Sequence, residues 1–307
     1  AEPADLPTPM LATAATEADI KLAMKDGVEY AFEMKWDGYR ILADATPSGV
    51  RLISRGGKEY THLFPQIELM LDDATFDGEL IALNSDGVPD FSLLHNADRN
   101  GETEANLRYM AFDLLRIGER DLTAVPWKVR RAELEKLADA TGNNTTVAVP
   151  PVFRGSFASA WKVAGEMGLE GVVAKRTSSY YEPGRSSAWL KVKRDLHQEV
   201  VVIGVREGKS LLVAVPDEEG ELRYAGRVGT GFSGKEFSAI ERELRRMQRK
   251  TPPVEVPKED RDGVFWVTPK RVAEVRLASK TAGGKVRQAS WRGWRDDKSP
   301  AEVRWEI

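Results

Sequence analysis

The run Ala31-Phe-Glu-Met-Lys35-Trp-Asp-Gly38-Tyr-Arg40 sets one lysine among acidic and aromatic neighbours, a setting in which an amine can act as a nucleophile. If the run is a strand, Phe32, Met34 and Trp36 point one way and Glu33, Lys35 and Asp37 the other, before Asp37-Gly38 turns the chain. A half-buried strand with a solvated charged face fits these ten residues equally well. In Phe76-Asp-Gly-Glu79-Leu-Ile-Ala-Leu83, Glu79 shares a face with Ile81 and Leu83. An unpaired carboxylate is costly there, so it calls for a cation, a metal or a ligand. Leu169-Glu170-Gly-Val-Val-Ala-Lys175 repeats the arrangement, with Glu170 beside Val172 and Ala174, and a structural ion pair would account for either acid. Trp189-Leu-Lys191-Val-Lys193 puts two ammonium groups on one strand face, which suits an anion or an edge blunted with lysines. Tyr109-Met-Ala-Phe112-Asp113 adds an aromatic that pattern alone assigns to the core.

Together these segments offer a lysine nucleophile, carboxylates, several cations and an aromatic platform. The inventory suits attack on a nucleoside triphosphate: carboxylates hold Mg²⁺ or Mn²⁺, cations steady the phosphates, and the ring stacks on the base. A lysine nucleophile must shed its proton, which neighbouring cations, a metal and desolvation all favour. Asp37 would oppose that loss if it paired with Lys35, so orientation is the role it suits.

The elements that must position these groups fall into two stretches. Residues 1–193 read as an α+β unit with a largely antiparallel sheet. Its strand-like runs are Ala31–Trp36, Val50–Ser54, Glu79–Leu83, Arg108–Leu115, Gly171–Ala174 and Trp189–Val192. A helix opens at Thr16-Glu-Ala-Asp19 and stops near Gly27, and another spans Pro126–Ala140, with Pro126 suited to a first turn and Gly142 to a stop. From residue 194 to 307 five runs follow: Glu199–Arg206, Ser210–Pro216, Leu222–Val228, Val264–Thr268 and Arg271–Leu277. One helix sits among them, starting at Ser233 with Glu236 three residues on and an apolar stripe of Phe237, Ile240, Leu244 and Met247. Five strands and one helix describe an OB-fold β-barrel.

Composition narrows the class. With 41% hydrophobic and 30% charged residues the chain is a folded, water-soluble protein rather than a disordered one. The longest apolar runs are strand-length, so no segment reads as a membrane span. No cysteine is present, which excludes disulfides, thiol catalysis and a thiolate zinc site and fits a reducing cytoplasm. His62, His95 and His197 have no metal-ligand spacing, so a metal would rest on carboxylates, water and phosphates. A net charge of −3 argues against a histone-like binder but allows a local basic groove. The Arg-rich helix face at Arg245, Arg246 and Arg249 reads as a solvated surface. The first residue is Ala1, which points to processing, trimming or excision from something longer.

Seven motifs in order give a resemblance. Lys35-Trp-Asp-Gly-Tyr-Arg40, Ser54-Arg55-Gly-Gly57, Asp77-Gly-Glu79, Ala111-Phe112-Asp113, Glu170-Gly-Val-Val-Ala-Lys175, Lys191-Val-Lys193 and Trp291-Arg-Gly-Trp-Arg295-Asp-Asp297-Lys298 match the series of the covalent nucleotidyltransferases. The likeness covers nearly the whole chain and is closest to ATP-dependent DNA ligases, in particular the ligase module of bacterial end-joining enzymes of the LigD type. Pro9-Met-Leu-Ala12, Ala225-Gly-Arg-Val-Gly-Thr-Gly231 and Val272-Ala-Glu-Val275 strengthen it.

The resemblance implies that Lys35 attacks the α-phosphate of ATP and carries AMP, that Glu33 helps recognise adenine through its backbone or its side chain, and that Phe112 stacks on it. It implies that Arg40 and Arg55 serve the ribose and phosphate side and then the 5′-phosphate of a nick. Glu79 would contact ribose and help with the metal, Glu170 would be the main metal-linked carboxylate, and Lys191 and Lys193 would grip the α-phosphate. Arg295, Asp297 and Lys298 would orient pyrophosphate when the barrel domain closes. The implied partners are nicked or broken duplex DNA, Ku and an end-joining polymerase. The protein would act as a monomer in the bacterial cytoplasm at the nucleoid. The alternatives are an RNA-capping guanylyltransferase or RNA ligase sharing the lysyl-nucleotide chemistry, and a non-catalytic OB protein with a relic first domain.

Overall fold

Alternating apolar and charged residues along the first half of the chain fold into two sheets, shown in a computed structural model that describes residues 6–100, 106–142, 144–194, 196–277 and 279–306. The chain divides after Arg194 into two compact units. In the first unit a five-stranded sheet runs in the order Met10–Ala14, Gly184–Lys193, Gly171–Arg176, Tyr30–Lys35 and Phe153–Arg154. Only Met10–Ala14 pairs parallel to its neighbour. The second sheet follows the order Gly49–Ser54, Tyr39–Thr46, Ala74–Leu83, Asn106–Ile117 and Arg120–Asp121, with Val147–Ala148 parallel beside Asn106–Ile117. The architecture is the largely antiparallel α+β one expected.

Each sheet buries its outer face under helices. Phe32, Met34, Val172 and Ala174 pack against Ile20 of helix Glu17–Lys25 and against Phe157, Ala160 and Ala164 of helix Phe157–Glu166. Tyr39, Ile41, Ala43, Phe76 and Leu80 pack against Phe91 and Leu94 of helix Phe91–Asn100 and Leu134 of helix Trp127–Thr141. That last helix starts directly after Pro126 and ends at Gly142, whose φ of 69° suits a residue without a side chain. The inner faces meet through Met10, Ala31 and Trp189 from the first sheet and Leu42 and Leu115 from the second, with Trp127 and Tyr181. This contact brings residues 30–35 and 39–46 onto facing sheets.

Asp37-Gly38 is therefore more than a turn at a strand end. The strand before it, Tyr30–Lys35, belongs to the five-stranded sheet, while Tyr39–Thr46, a strand not foreseen from the sequence, belongs to the other. A Cβ on Gly38 would lie 2.1 Å from the Leu80 carbonyl oxygen, so only glycine lets the chain cross at that point.

The second unit is a barrel. The long strand Leu196–Arg206 pairs with Ser210–Pro216, which pairs with Leu222–Val228. On its other edge, residues 196–201 pair with Val272–Leu277, which pairs with Ser290–Trp294. A bridge from Thr230 to Ser290 joins the two ends of this run. The closing strand is thus Ser290–Trp294, and the expectation that Val264–Thr268 completes the five is corrected. Val264–Val267 instead pairs with residues 204–206 at the far end of the long strand and, on its other edge, with Gln248–Arg249. Helix Gly234–Arg245 is capped by the Ser233 side chain and lays Phe237, Ile240 and Leu244 onto the barrel core. The architecture is that of an OB-fold domain. Among the described residues no helix is long and apolar enough to cross a membrane.

Candidate active site

Strand register determines which side chains share the inner face of the five-stranded sheet. Across its three central strands Lys35 aligns with Gly171 and Gly171 with Lys193, Glu33 with Val173 and Val173 with Lys191, and Ala31 with Lys175 and Lys175 with Trp189. Paired residues project on one side. Lys35, Glu33, Lys191, Lys193, Lys175 and Trp189 therefore line the face turned away from the helices. A Cβ on Gly171 would meet the Val192 carbonyl oxygen at 2.0 Å, so this glycine allows the close pairing between the two lysine strands.

Glu170 departs from the expected geometry. Counting back along the strand puts it with Val172 and Ala174, whose side chains lie in the helix-covered core. The strand begins only at Gly171, and Glu170 precedes it. Its carboxylate binds the Lys35 ammonium through one oxygen and takes Lys193 Nζ at 2.9 Å on the other. The Glu170 carboxylate is 4% exposed and Lys35 23% exposed, so the acid is enclosed while the amine can reach a ligand. Lys191 lies on the same face by strand register, and ammonium groups gathered there suit a polyphosphate.

A second cluster lies two residues along the strand from Lys35. Glu33 Oε2 is 2.6 Å from Lys175 Nζ, and Glu33 Oε1 is 3.8 Å from Nη1 of Arg131, which reaches in from helix Trp127–Thr141. All three residues are almost fully buried. Burial pushes the Lys175 ammonium below its ordinary range, against the opposing pull of the Glu33 and Asp113 carboxylates. Its Nζ stands 4.2 Å from the centroid of Phe112 and 4.1 Å from Trp189, so Lys175 links Glu33 to the aromatic surface.

The third cluster belongs to the other sheet. Arg40 aligns with Glu79, so both project on one side, and the guanidinium lies 4.7 Å over Phe112. Asp77, fully buried, accepts Arg40 Nε at 2.5 Å, Arg40 Nη2 at 2.6 Å and the Tyr181 hydroxyl at 2.5 Å. Burial works against the Arg40 charge, but Asp77 more than offsets it and holds the guanidinium above its ordinary range. Burial, reinforced by Asp77, also raises the Tyr181 hydroxyl. Arg55 is half-buried in the turn after strand Gly49–Ser54, a turn closed by Gly57, which donates to Ser54 at 2.9 Å.

Three expected residues lie in the second unit. Arg295 donates to both Asp297 oxygens at 2.9 and 2.8 Å and stands 3.5 Å from Glu274, while Lys298 pairs with Glu199. Asp77, Tyr181, Lys175 and Arg131 went unassigned in the sequence. Parity alone marks Asp77 as a companion of Glu79 and Lys175 as a companion of Gly171. The helical spacing of Arg131 to Trp127, with Leu134 beyond, hints at a buried arginine, but not at its partner.

The donor set can be tested against a metal. Among the described residues no group of three acidic or histidine side chains is arranged to hold one. The enclosed carboxylate of Glu170 and that of Glu79 on the facing sheet suit a cation that keeps several waters and takes phosphate oxygens, as Mg²⁺ does.

Comparison with known proteins bears on the whole arrangement. Residues 9–193 match the family described as ATP dependent DNA ligase domain, and residues 206–298 match the ATP dependent DNA ligase C terminal region. The multifunctional non-homologous end joining DNA repair protein LigD of Mycobacterium tuberculosis H37Rv is 41% identical over 96% of the chain, covering 39% of that protein. LigD of Pseudomonas aeruginosa PAO1 is 39% identical over 91% of the chain, covering 35% of it. The chain thus spans about two fifths of the length of such relatives. Among solved structures, mycobacterial DNA ligase D complexed with ATP and MES is 39% identical with a TM-score of 0.67, and each chain covers 97% of the other. The ligase domain of M. tuberculosis LigD gives a TM-score of 0.53 at the same identity, over 97% of this chain and 98% of that one. These matches do not favour the RNA-capping alternative.

Proposed function

The chain belongs to the ATP-dependent DNA ligase family, and from that premise we propose that it seals 5′-phosphate/3′-hydroxyl breaks in duplex DNA through an AMP carried on Lys35. The observation that carries the reading is the Lys35–Glu170–Lys193 constellation, a partly exposed lysine on an enclosed carboxylate that a second lysine shares. Residues 1–193 act as the adenylation domain and residues 194–307 as the OB-fold domain.

Lys35 Nζ attacks the α-phosphorus of ATP, a P–N bond forms, and the bond to pyrophosphate breaks. Glu170, already on the Lys35 ammonium, is placed to take its proton as the amine turns to the phosphate. Lys193 and Lys191 neutralise the charge that develops on the α-phosphate oxygens. Phe112 offers a face to the adenine ring and Glu33 an acceptor to its edge, while Arg40, locked by Asp77, and Arg55 hold ribose and phosphate oxygens. Glu170 and Glu79 would hold Mg²⁺ or Mn²⁺, which supplies charge neutralisation at the phosphates. The AMP then passes to the 5′-phosphate of the break, with the Lys35 P–N bond broken. The 3′-hydroxyl displaces AMP as the phosphodiester forms. Arg295, Asp297 and Lys298 serve pyrophosphate.

The likeness to LigD supports a role in end joining, with Ku and an end-joining polymerase as partners, for a monomer acting on DNA in the cytoplasm at the nucleoid. The deciding assay is sealing of a nicked duplex with ATP and Mg²⁺, comparing wild type with Lys35→Ala. The variant is expected to seal nothing and to carry no AMP. Sealing that survives the substitution would sink the mechanism.

A further inference from the structure

The Glu33 carboxylate is 5% exposed, and its two oxygens are unequal. Oε2 lies 2.6 Å from Lys175 Nζ. Oε1 faces Arg131 Nη1 at 3.8 Å, and among the described residues no donor meets it in hydrogen-bonding geometry. A buried carboxylate oxygen without a donor is costly, and a ligand N–H would relieve that cost. The oxygen belongs to the face that carries Lys35. A strand rise of about 3.3 Å per residue puts Glu33 about 7 Å from Lys35 along that face, on the scale of a nucleotide reaching from its α-phosphate to its base.

Lys175 is held more firmly than an ordinary partner lysine. Its Nζ contacts the faces of Phe112 and Trp189 at 4.2 and 4.1 Å, so leaving Glu33 would also forfeit both rings. Arg131 is held as tightly: it donates from Nε to Glu135 at 2.9 Å and from Nη2 to the Pro150 carbonyl. Two anchored cations therefore fix the carboxylate from two sides, and one of them also touches the aromatic surface offered to the base.

We propose that Lys175, with Arg131 behind it, is a positioning residue that fixes Glu33 as an acceptor for the exocyclic amine of adenine. It thereby sets the preference for ATP over purine nucleotides that lack the amine or carry a carbonyl in its place. The proposal rests on the reading that Glu33 meets the base edge. An amine satisfies Oε1, a bare C–H leaves it unpaired, and a guanine carbonyl sets two acceptors against each other. A lysine serving only the stability of the sheet would not distinguish among these.

The test is the rate of Lys35 adenylylation, or its counterpart with an analogue, followed with ATP, purine riboside triphosphate and GTP. Wild type is expected to prefer ATP to purine riboside triphosphate by about ten- to a hundredfold in kcat/KM, the range for a hydrogen bond to a charged group. Lys175→Met is expected to shrink that ratio about tenfold, through a raised KM for ATP and with the KM for the analogue where it was. Equal rises in both KM values, or an unchanged ratio, would overturn the role of Lys175. A wild type that does not distinguish the two nucleotides would instead overturn the Glu33 reading, and the proposal with it. If Lys175→Met does not fold, Lys175→Met/Glu33→Gln removes both charges and keeps the question open to measurement. Its ratio is expected near that of Glu33→Gln alone, and a double variant as selective as wild type overturns the proposal.

Discussion

Replacing Asp77 with alanine removes the acceptor of three short hydrogen bonds, two from Arg40 and one from Tyr181. Arg40 keeps its bond to the Met10 carbonyl at 3.0 Å, and its side chain is 19% exposed. Breaking a buried charge pair by deleting one partner costs about 3–5 kcal/mol, because the other charge stays behind without its counter-ion. Unfolding entropy near 2.1 cal/mol/K per residue gives about 0.4 kcal/mol/K for a unit ending at Arg194. The expected fall in Tm is then roughly 7–12 °C if that unit unfolds by itself, or about 5–8 °C if the whole chain unfolds together. Thermal unfolding at one fixed scan rate reads it directly. Asp77→Ala/Arg40→Met removes both charges and should recover most of the loss, since a neutral pair leaves nothing stranded. A drop below about 3 °C for Asp77→Ala, or a double variant no better than the single, would refute the reasoning that Asp77 is what holds Arg40.

Glu170→Gln leaves Lys35 and Lys193 without their shared carboxylate, and self-adenylylation should fall about a hundredfold or more; a change within about fivefold in single-turnover labelling would contradict the assignment. Gly171→Ala drives a Cβ into the Val192 carbonyl oxygen at 2.0 Å, so the lysine strands must part. The expected loss is about 2–3 kcal/mol, read from the midpoint of urea unfolding, and an unchanged midpoint would show that the sheet accommodates the methyl. Lys175 titrates below its ordinary 10.5 in the folded chain. The unfolded chain keeps that proton to higher pH, so the burden of the buried ammonium is full below the folded value and eases as pH rises toward 10.5. The stability of wild type relative to Lys175→Met/Glu33→Gln should therefore climb as pH rises toward 10.5, and a difference that stays flat on that approach would show that Lys175 is not the group responsible.

Much of this could be read from the chain alone. Alternation placed Glu33 and Lys35 on the face opposite Phe32 and Met34, and the same parity joined Lys191 to Lys193. Pro126 and Gly142 marked the ends of a helix, and Ser233 the start of another, because caps act within a turn or two of backbone. The motif order from Lys35 to Lys298 carried the family. Periodicity reports which face a residue takes, not what lies across from it. Glu170 was misplaced by one residue of strand because parity assumes the strand extends that far, whereas tertiary ion pairing with Lys35 and Lys193 holds it just outside. Asp37-Gly38 read as a turn, but the crossing from one sheet to the other depends on the Leu80 carbonyl, which is distant in sequence. Ser290–Trp294 closes the barrel through a bridge to Thr230, and nothing local to either segment states that pairing. The sequence by itself determined the lysine, its face and the residue types around it. Only the tertiary structure decided that Lys175 and Arg131 converge on Glu33 and that Asp77 locks Arg40, because buried charges find their partners through packing of elements whose contacts no local pattern encodes.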